Sequence, residues 1–117
     1  MRAIVSRQVL AAAALFVGAL LAGASPRADD GQIFSITIKD HKFEPSELRV
    51  PAGKPIILLV KNADPTAEEF ESSALKIEKV IPGGQQGTIR LRSLPVGNYS
   101  FVGEFHEDTA KGRVIAE

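Results

Sequence analysis

The stretch Pro55-Ile56-Ile57-Leu58-Leu59-Val60, PIILLV, decides the fold class. It is uncharged and continuously apolar. Ile56, Ile57 and Val60 are β-branched. It is bounded by Pro51-Ala52-Gly53-Lys54 before it and Asn62-Ala63-Asp64-Pro65-Thr66 after it, both rich in turn formers. A short apolar run between turn signals reads as a strand covered on both faces. Shorter strand signals lie on either side. Phe34, Ile36 and Ile38 alternate with Ser35, Thr37 and Lys39, the period of a half-buried strand. Glu47–Val50 is a short strand entered by Phe43-Glu44-Pro45. Gly87–Leu91 alternates again, Tyr99-Ser100-Phe101 opens another strand, and Arg113–Ala116 is the last. Pro82-Gly83-Gly84 and Pro95-Val96-Gly97-Asn98 are turns. The segment from Ala67 to Ile77 fits either a helical turn or an irregular strand.

Strands at roughly 8–12-residue spacing with turns between them predict an all-β sandwich of about seven to eight strands. The expected inward set is Phe34, Ile36, Ile38, Phe43, Leu48, Val50, Ile57, Leu59, Val80, Ile89, Leu91, Tyr99, Phe101, Val114 and Ile115. Tyr99, shortly after Pro95 and Gly97, has the setting of a tyrosine corner, whose hydroxyl bonds a nearby backbone group.

The N-terminus reads differently. Arg2 and Arg7 precede Val9–Ala22, an uncharged run of 14 residues, and Ala22-Gly23-Ala24 has the small-x-small pattern of a cleavage site. Residues 1–24 are therefore expected to be a secretory signal peptide, since the run falls short of the ~20 residues of a membrane span. Residues 25–117 are expected to form one domain. With no cysteine after the run, no lipid anchor is expected, and the mature chain should sit free in the periplasm without membrane insertion.

The 117-residue chain has 14 basic and 14 acidic residues; without Arg2 and Arg7 the balance is 12 against 14, a net charge of −2. This leaves no basic field for nucleic acid and no polybasic patch for anionic lipid. The absence of cysteine means no disulfide, no thiolate nucleophile and no thiolate metal site. Hydrolase and phosphate-loop motifs are absent, as is H-E-x-x-H. What remains is a set of imidazoles and carboxylates: His41, Glu68, Glu69, Glu71, Glu104, His106, Glu107 and Asp108. If the first strand and PIILLV run parallel, their ends share a pole, and a C-terminal loop capping that pole brings these segments together. Histidines with carboxylates and no sulfur suit Cu(II), Zn(II) or Fe(II) rather than Cu(I). In an extended segment only two of Glu68, Glu69 and Glu71 face one point.

Phe43–Gly53 followed by PIILLVKN resembles the second and third strands of cupredoxins, and Pro95–Phe101 running into Gly103–Gly112 resembles their C-terminal metal loop. The resemblance covers nearly the whole mature chain and implies a cupredoxin-like Greek-key β-sandwich. The blue-copper loop of that family reads Cys-x-x-His, then Met shortly before Gly. Here the Cys position falls on Gly103, the His on His106 and the Met on Ala110; the upstream His falls near Glu68 or Glu69. With His106 alone retained, neither a blue-copper carrier nor a purple dinuclear centre is expected.

The pieces DHKFEP, EEFES and GEFHEDTAKG look more like the sulfur-free cupredoxin-like proteins of bacterial ferrous-iron uptake operons, which share a domain with EfeO-type components. That resemblance implies a periplasmic protein working beside a high-affinity iron permease or its associated periplasmic components. It implies copper as cofactor and iron as substrate or ligand, with copper-dependent ferroxidase activity as the proposed chemistry. Its candidate metal residues are His41, Glu69, Glu71, Glu104, His106 and Glu107. Two other readings stand beside it: a non-redox metal carrier or chaperone, and a metal-free docking module using the same acidic pole.

Overall fold

The structure is a computed structural model and describes residues 31–117. The leader assigned to residues 1–24 lies outside the described residues. Nine strands form two sheets. They are β1 (Gln32–Lys39), β2 (Lys42–Glu44), β3 (Glu47–Val50), β4 (Ile56–Asn62), β5 (Glu68–Ser72), β6 (Ile77–Ile81), β7 (Gln86–Leu91), β8 (Gly97–Gly103) and β9 (Lys111–Ala116). A 3₁₀ turn, Glu104–His106, follows β8. One sheet has the order β2-β1-β4-β7, the other β3-β9-β8-β5-β6. The chain changes sheet between β2 and β3, β3 and β4, β4 and β5, β6 and β7, and β7 and β8, which is Greek-key connectivity.

β1 and β4 pair in parallel from Gln32↔Ile56 to Ile38↔Asn62. PIILLV is thus a central strand between β1 and β7, and Ile56, Leu58 and Val60 are almost fully buried. The parallel pairing carries both strand ends to one pole, the condition under which the sequence brings the candidate residues together. The ambiguous segment after the Asn62–Thr66 break is β5, whose burial alternates with Glu68, Phe70 and Ser72 inward.

Phe43 of one sheet meets Phe70 and Phe101 of the other. Phe43 and Phe101 are edge-to-face with centroids 4.9 Å apart, and Phe70 and Phe101 stack at 4.7 Å. Such pairs contribute about 0.5–1.5 kcal/mol each beyond the area they bury. In a chain without disulfides this cluster ties the sheets together directly beneath the pole. The core also uses Leu75, Ile81, Leu94, Ala110 and Ala116, which strand alternation alone does not single out. Val80 faces outward, 51% exposed, because β6 turns Ile81 into the core and its neighbour must then point away. Ile57 is buried on the opposite face of β4 from the Ile56 row, whereas Leu59 and Ile115 are only half-buried. Tyr99 does form the corner: its hydroxyl donates to the Pro95 carbonyl at 2.7 Å. No described helix is long and apolar enough to cross a membrane.

Candidate metal centre

Three segments meet at the pole beyond β1 and β4. The first is the turn Asp40-His41, a two-residue hairpin loop closed by the pair Lys39↔Lys42. Both residues have positive φ, 53° and 58°, as a type I′ turn requires. For residues other than glycine that conformation costs about 1 kcal/mol or more each. The Asp64 carboxylate offsets it: Oδ1 accepts the Asp40 amide at 2.8 Å and Oδ2 the His41 amide at 2.9 Å. The His41 amide, then the Asp40 amide and the charges of His41 and Lys39, hold the Asp64 carboxyl below its usual range against the opposing effect of burial. The His41 carbonyl accepts from Thr109 Oγ1 at 2.6 Å, which ties this turn to the C-terminal loop.

The second segment is the start of β5. Glu68 is 1% exposed, an unusual place for a carboxylate, and its bonds explain how it is tolerated. Oε1 accepts the amides of Glu69 at 3.0 Å and Phe105 at 2.9 Å, and Oε2 lies 2.6 Å from His106 Nδ1. The third segment is the loop after β8. The Gly103 amide donates to the Ala110 carbonyl, and the Thr109 and Ala110 amides close on the His106 carbonyl. Gly103 is required by packing. A Cβ there would stand 2.7 Å from Ala110 Cβ, 2.7 Å from Glu68 Cδ and 2.9 Å from Glu68 Oε2. The Glu68 carboxylate therefore fills the space that a side chain at position 103 would occupy.

His41 and His106 stack with ring centroids 3.6 Å apart and planes 12° from parallel. Ligand atoms of His41, Glu68 and His106 all lie within 4.8 Å of one another, two imidazoles and one carboxylate around a half-buried point. This donor set contains no sulfur. It fits Cu(II), Zn(II) or Fe(II) and disfavours Cu(I). It does not fit a blue-copper centre.

The other carboxylates expected from sequence lie elsewhere on the pole. Glu69 and Glu71 point outward from β5, opposite in parity to Glu68. Glu69, Glu78 and Glu104 form a second group with oxygens within 4.8 Å of one another on the outer face, and Glu71 stands across the strand pair from Glu78. A hydrogen bond with Glu104, then desolvation and the charges of Glu104, Glu78 and Glu71, push the Glu69 carboxyl up. Glu107 and Asp108 are exposed just past the 3₁₀ turn. Thus the structure joins His41 to His106 but places Glu69, Glu71, Glu104 and Glu107 around that pair rather than on it. Glu68 is the residue the pattern left open. Its one signal is that it precedes Phe70 by two in an extended segment and must share the inward face of that core residue. A groove of about 430 Å³ beside the His41 turn is lined by Lys39, Lys42 and Lys111, with Asp40 and Glu44.

Residues 10–116 match the family model for the cupredoxin-like domain. The chain belongs to the cupredoxin-like family. It is 48% identical over 80 residues to an uncharacterised protein of Rickettsia prowazekii, an alignment covering 68% of this chain and 64% of that one. The cupredoxin-like chain thus spans less than two thirds of that relative's length. Among solved structures it superposes on auracyanin A, a blue copper protein of Chloroflexus aurantiacus, with a TM-score of 0.64 and 14% identity over 75% of this chain and 100% of that one. It also superposes on the metal-binding domain of a Cu(I)-exporting P-type ATPase of Streptococcus pneumoniae, with a TM-score of 0.63 and 19% identity over 80% of this chain and 92% of that one. A reduced amicyanin variant gives a TM-score of 0.59 and 20% identity, covering 75% and 84% of the two chains. At these identities the structural likeness carries the fold, and the ligands must be read from this cupredoxin's own residues.

Proposed function

We propose that this protein is a periplasmic metal-binding cupredoxin that holds Cu(II) through His41, Glu68 and His106 and supports iron uptake beside a high-affinity permease or its periplasmic components. The observation that carries the metal assignment is the stacked pair His41–His106 over a carboxylate that is 1% exposed and bonded to one of the rings. A buried anion beside two imidazoles favours a bound divalent cation over an empty site, because the cation's charge offsets the cost of keeping the carboxylate out of water. Copper held there would accept one electron from Fe(II), becoming Cu(I) as iron becomes Fe(III).

The chain's own residues do the rest. Glu68 keeps the His106 ring oriented and contributes negative charge that stabilises the higher oxidation state. Gly103 and Ala110 leave the room in which that carboxylate sits. Glu69, Glu78 and Glu104, with Glu107 and Asp108 nearby in sequence, form a hard, anionic rim suited to receiving iron.

One observation favours the non-redox alternative. A nitrogen and oxygen donor set resists passage through Cu(I), which suits a carrier that holds its metal without cycling it. Titration of Cu(II) into wild type, His41→Ala, Glu68→Ala and His106→Ala tests the metal reading. The expected result is one Cu(II) per wild-type chain, a raised melting temperature, and weaker binding with a smaller rise in each variant. Equal, negligible binding in wild type and His106→Ala sinks it. Oxygen consumption with Fe(II) then separates the two roles: acceleration over free copper marks oxidation, and none marks a carrier.

A further inference from the structure

Asp64 lies outside the metal-ligand group yet is tied to the hairpin that carries His41 more closely than any other side chain. It is 6% exposed. Its position is set by Asn62, itself fully buried, whose Oδ1 accepts the Asp64 amide at 3.0 Å while Nδ2 donates to the carbonyls of Thr66 and Ile81. The Asp64 carbonyl in turn accepts the Gly84 amide at 3.0 Å. The carboxylate is thus a fixed object, anchored in the β4–β5 connection. From there it takes both amides of the Asp40-His41 turn, and its Oδ2 lies 3.5 Å from His41 Nδ1. Thr109 holds the carbonyl side of the same residue.

Each ring has a buried carboxylate beside its Nδ1, bonded and itself in the ligand group for His106, more distant and outside that group for His41. His106 has Nδ1 against the buried carboxylate of Glu68; His41 has Nδ1 facing the buried carboxylate of Asp64. Asp64 lies within the β4–β5 connection and Glu68 at its end, and the two carboxylates address the two stacked imidazoles separately. A carboxylate behind a ligating histidine sets its ring orientation and tautomer. Without Asp64 the turn loses the acceptor of both its amides and keeps, of its described side-chain bonds, the one from Thr109 to the His41 carbonyl.

We propose that Asp64 is a positioning residue of the metal site, holding the His41 turn and ring so that His41 meets a metal ion already paired with His106. This rests on the copper reading above, and its test separates the two. The variant is Asp64→Asn, which keeps the shape but sets an amide NH₂ against one of the two turn amides. Two measurements are made: Cu(II) affinity by competition with a chelator, and the ring resonances of both histidines in metal-free protein.

The expected result is Cu(II) binding weakened about ten- to a hundredfold, the range for loss of a residue supporting a metal ligand. The His41 ring signals should leave their stacked positions while those of His106 stay. In a His41→Ala background Asp64→Asn should cost no further affinity, because Asp64 acts through that ring. Affinity within threefold of wild type, unmoved His41 signals, or an equal further loss in the His41→Ala background overturns the proposal. If wild type takes up no Cu(II), the copper reading fails, and the metal-free spectra alone decide: moved His41 signals uphold the positioning and unmoved ones end it. Should Asp64→Asn fail to fold, Asp40→Gly/Asp64→Asn relieves the turn, since glycine adopts positive φ freely. The affinity loss relative to Asp40→Gly should persist, and binding within threefold of Asp40→Gly overturns the proposal.

Discussion

Gly103→Ala is a one-methyl change that tests how the pole is built. The new Cβ would lie 2.7 Å from Ala110 Cβ and from Glu68 Cδ. Ordinary carbon contacts need about 3.5 Å or more, so the neighbours must retreat by about 0.8 Å. Ala110 is fully buried on a closed loop and has little room to give. Glu68 must therefore move, and a shift of that size stretches its 2.6 Å contact with His106 and its 2.9 Å bond from the Phe105 amide beyond useful length.

Two weakened bonds to a buried carboxylate, at about 1.5 kcal/mol each, plus about 1 kcal/mol of overpacking, give a loss of about 3–4 kcal/mol. For a domain of this size each kcal/mol is about 4–8 °C in melting temperature, so a fall of roughly 12–30 °C is expected. Thermal unfolding of metal-free wild type and Gly103→Ala measures it, with the His106 ring resonances recorded alongside. A fall below about 2 °C with unchanged His106 signals would refute the idea that Glu68 occupies the side-chain space of position 103.

Two further outcomes concern the rim and the corner. The carboxyl of Glu69 is raised above its ordinary value of 4.5, so its favourable contribution is fully present below pH 4.5 and is lost as pH rises through the raised value. Glu69→Gln should therefore melt close to wild type near pH 4 and above it at pH 7 in metal-free protein; a difference that does not change with pH would contradict the raised Glu69 carboxyl beside Glu104. Tyr99→Phe removes only the 2.7 Å bond to the Pro95 carbonyl and should cost about 1 kcal/mol in urea unfolding, and a change near zero would show that water replaces it without loss.

Much of the fold was written in local pattern. PIILLV, with turn formers at each side and alternation in Phe34–Ile38 and Gly87–Leu91, specified strands, because burial on one or both faces imposes its own period on the chain. Residue type alone settled that a site here lacks sulfur and that its donors are imidazole and carboxylate. Val80 shows the limit. Its apolar side chain cannot report that Ile81, one residue on, has taken the inward place.

Parity within EEFES was the decision left to tertiary structure. Phe70 is drawn inward by Phe43 and Phe101, which come from distant strands, and Glu68 follows it while Glu69 and Glu71 turn out. The meeting of His41 with His106, separated by most of the domain, likewise exists only because the β1–β2 hairpin and the loop after β8 close at one pole. Composition fixes which donors are available. Phe70 marks one face of EEFES as apolar, but only long-range packing seats the carboxylate on that face beside the two histidines, since their turn and loop come from distant parts of the chain.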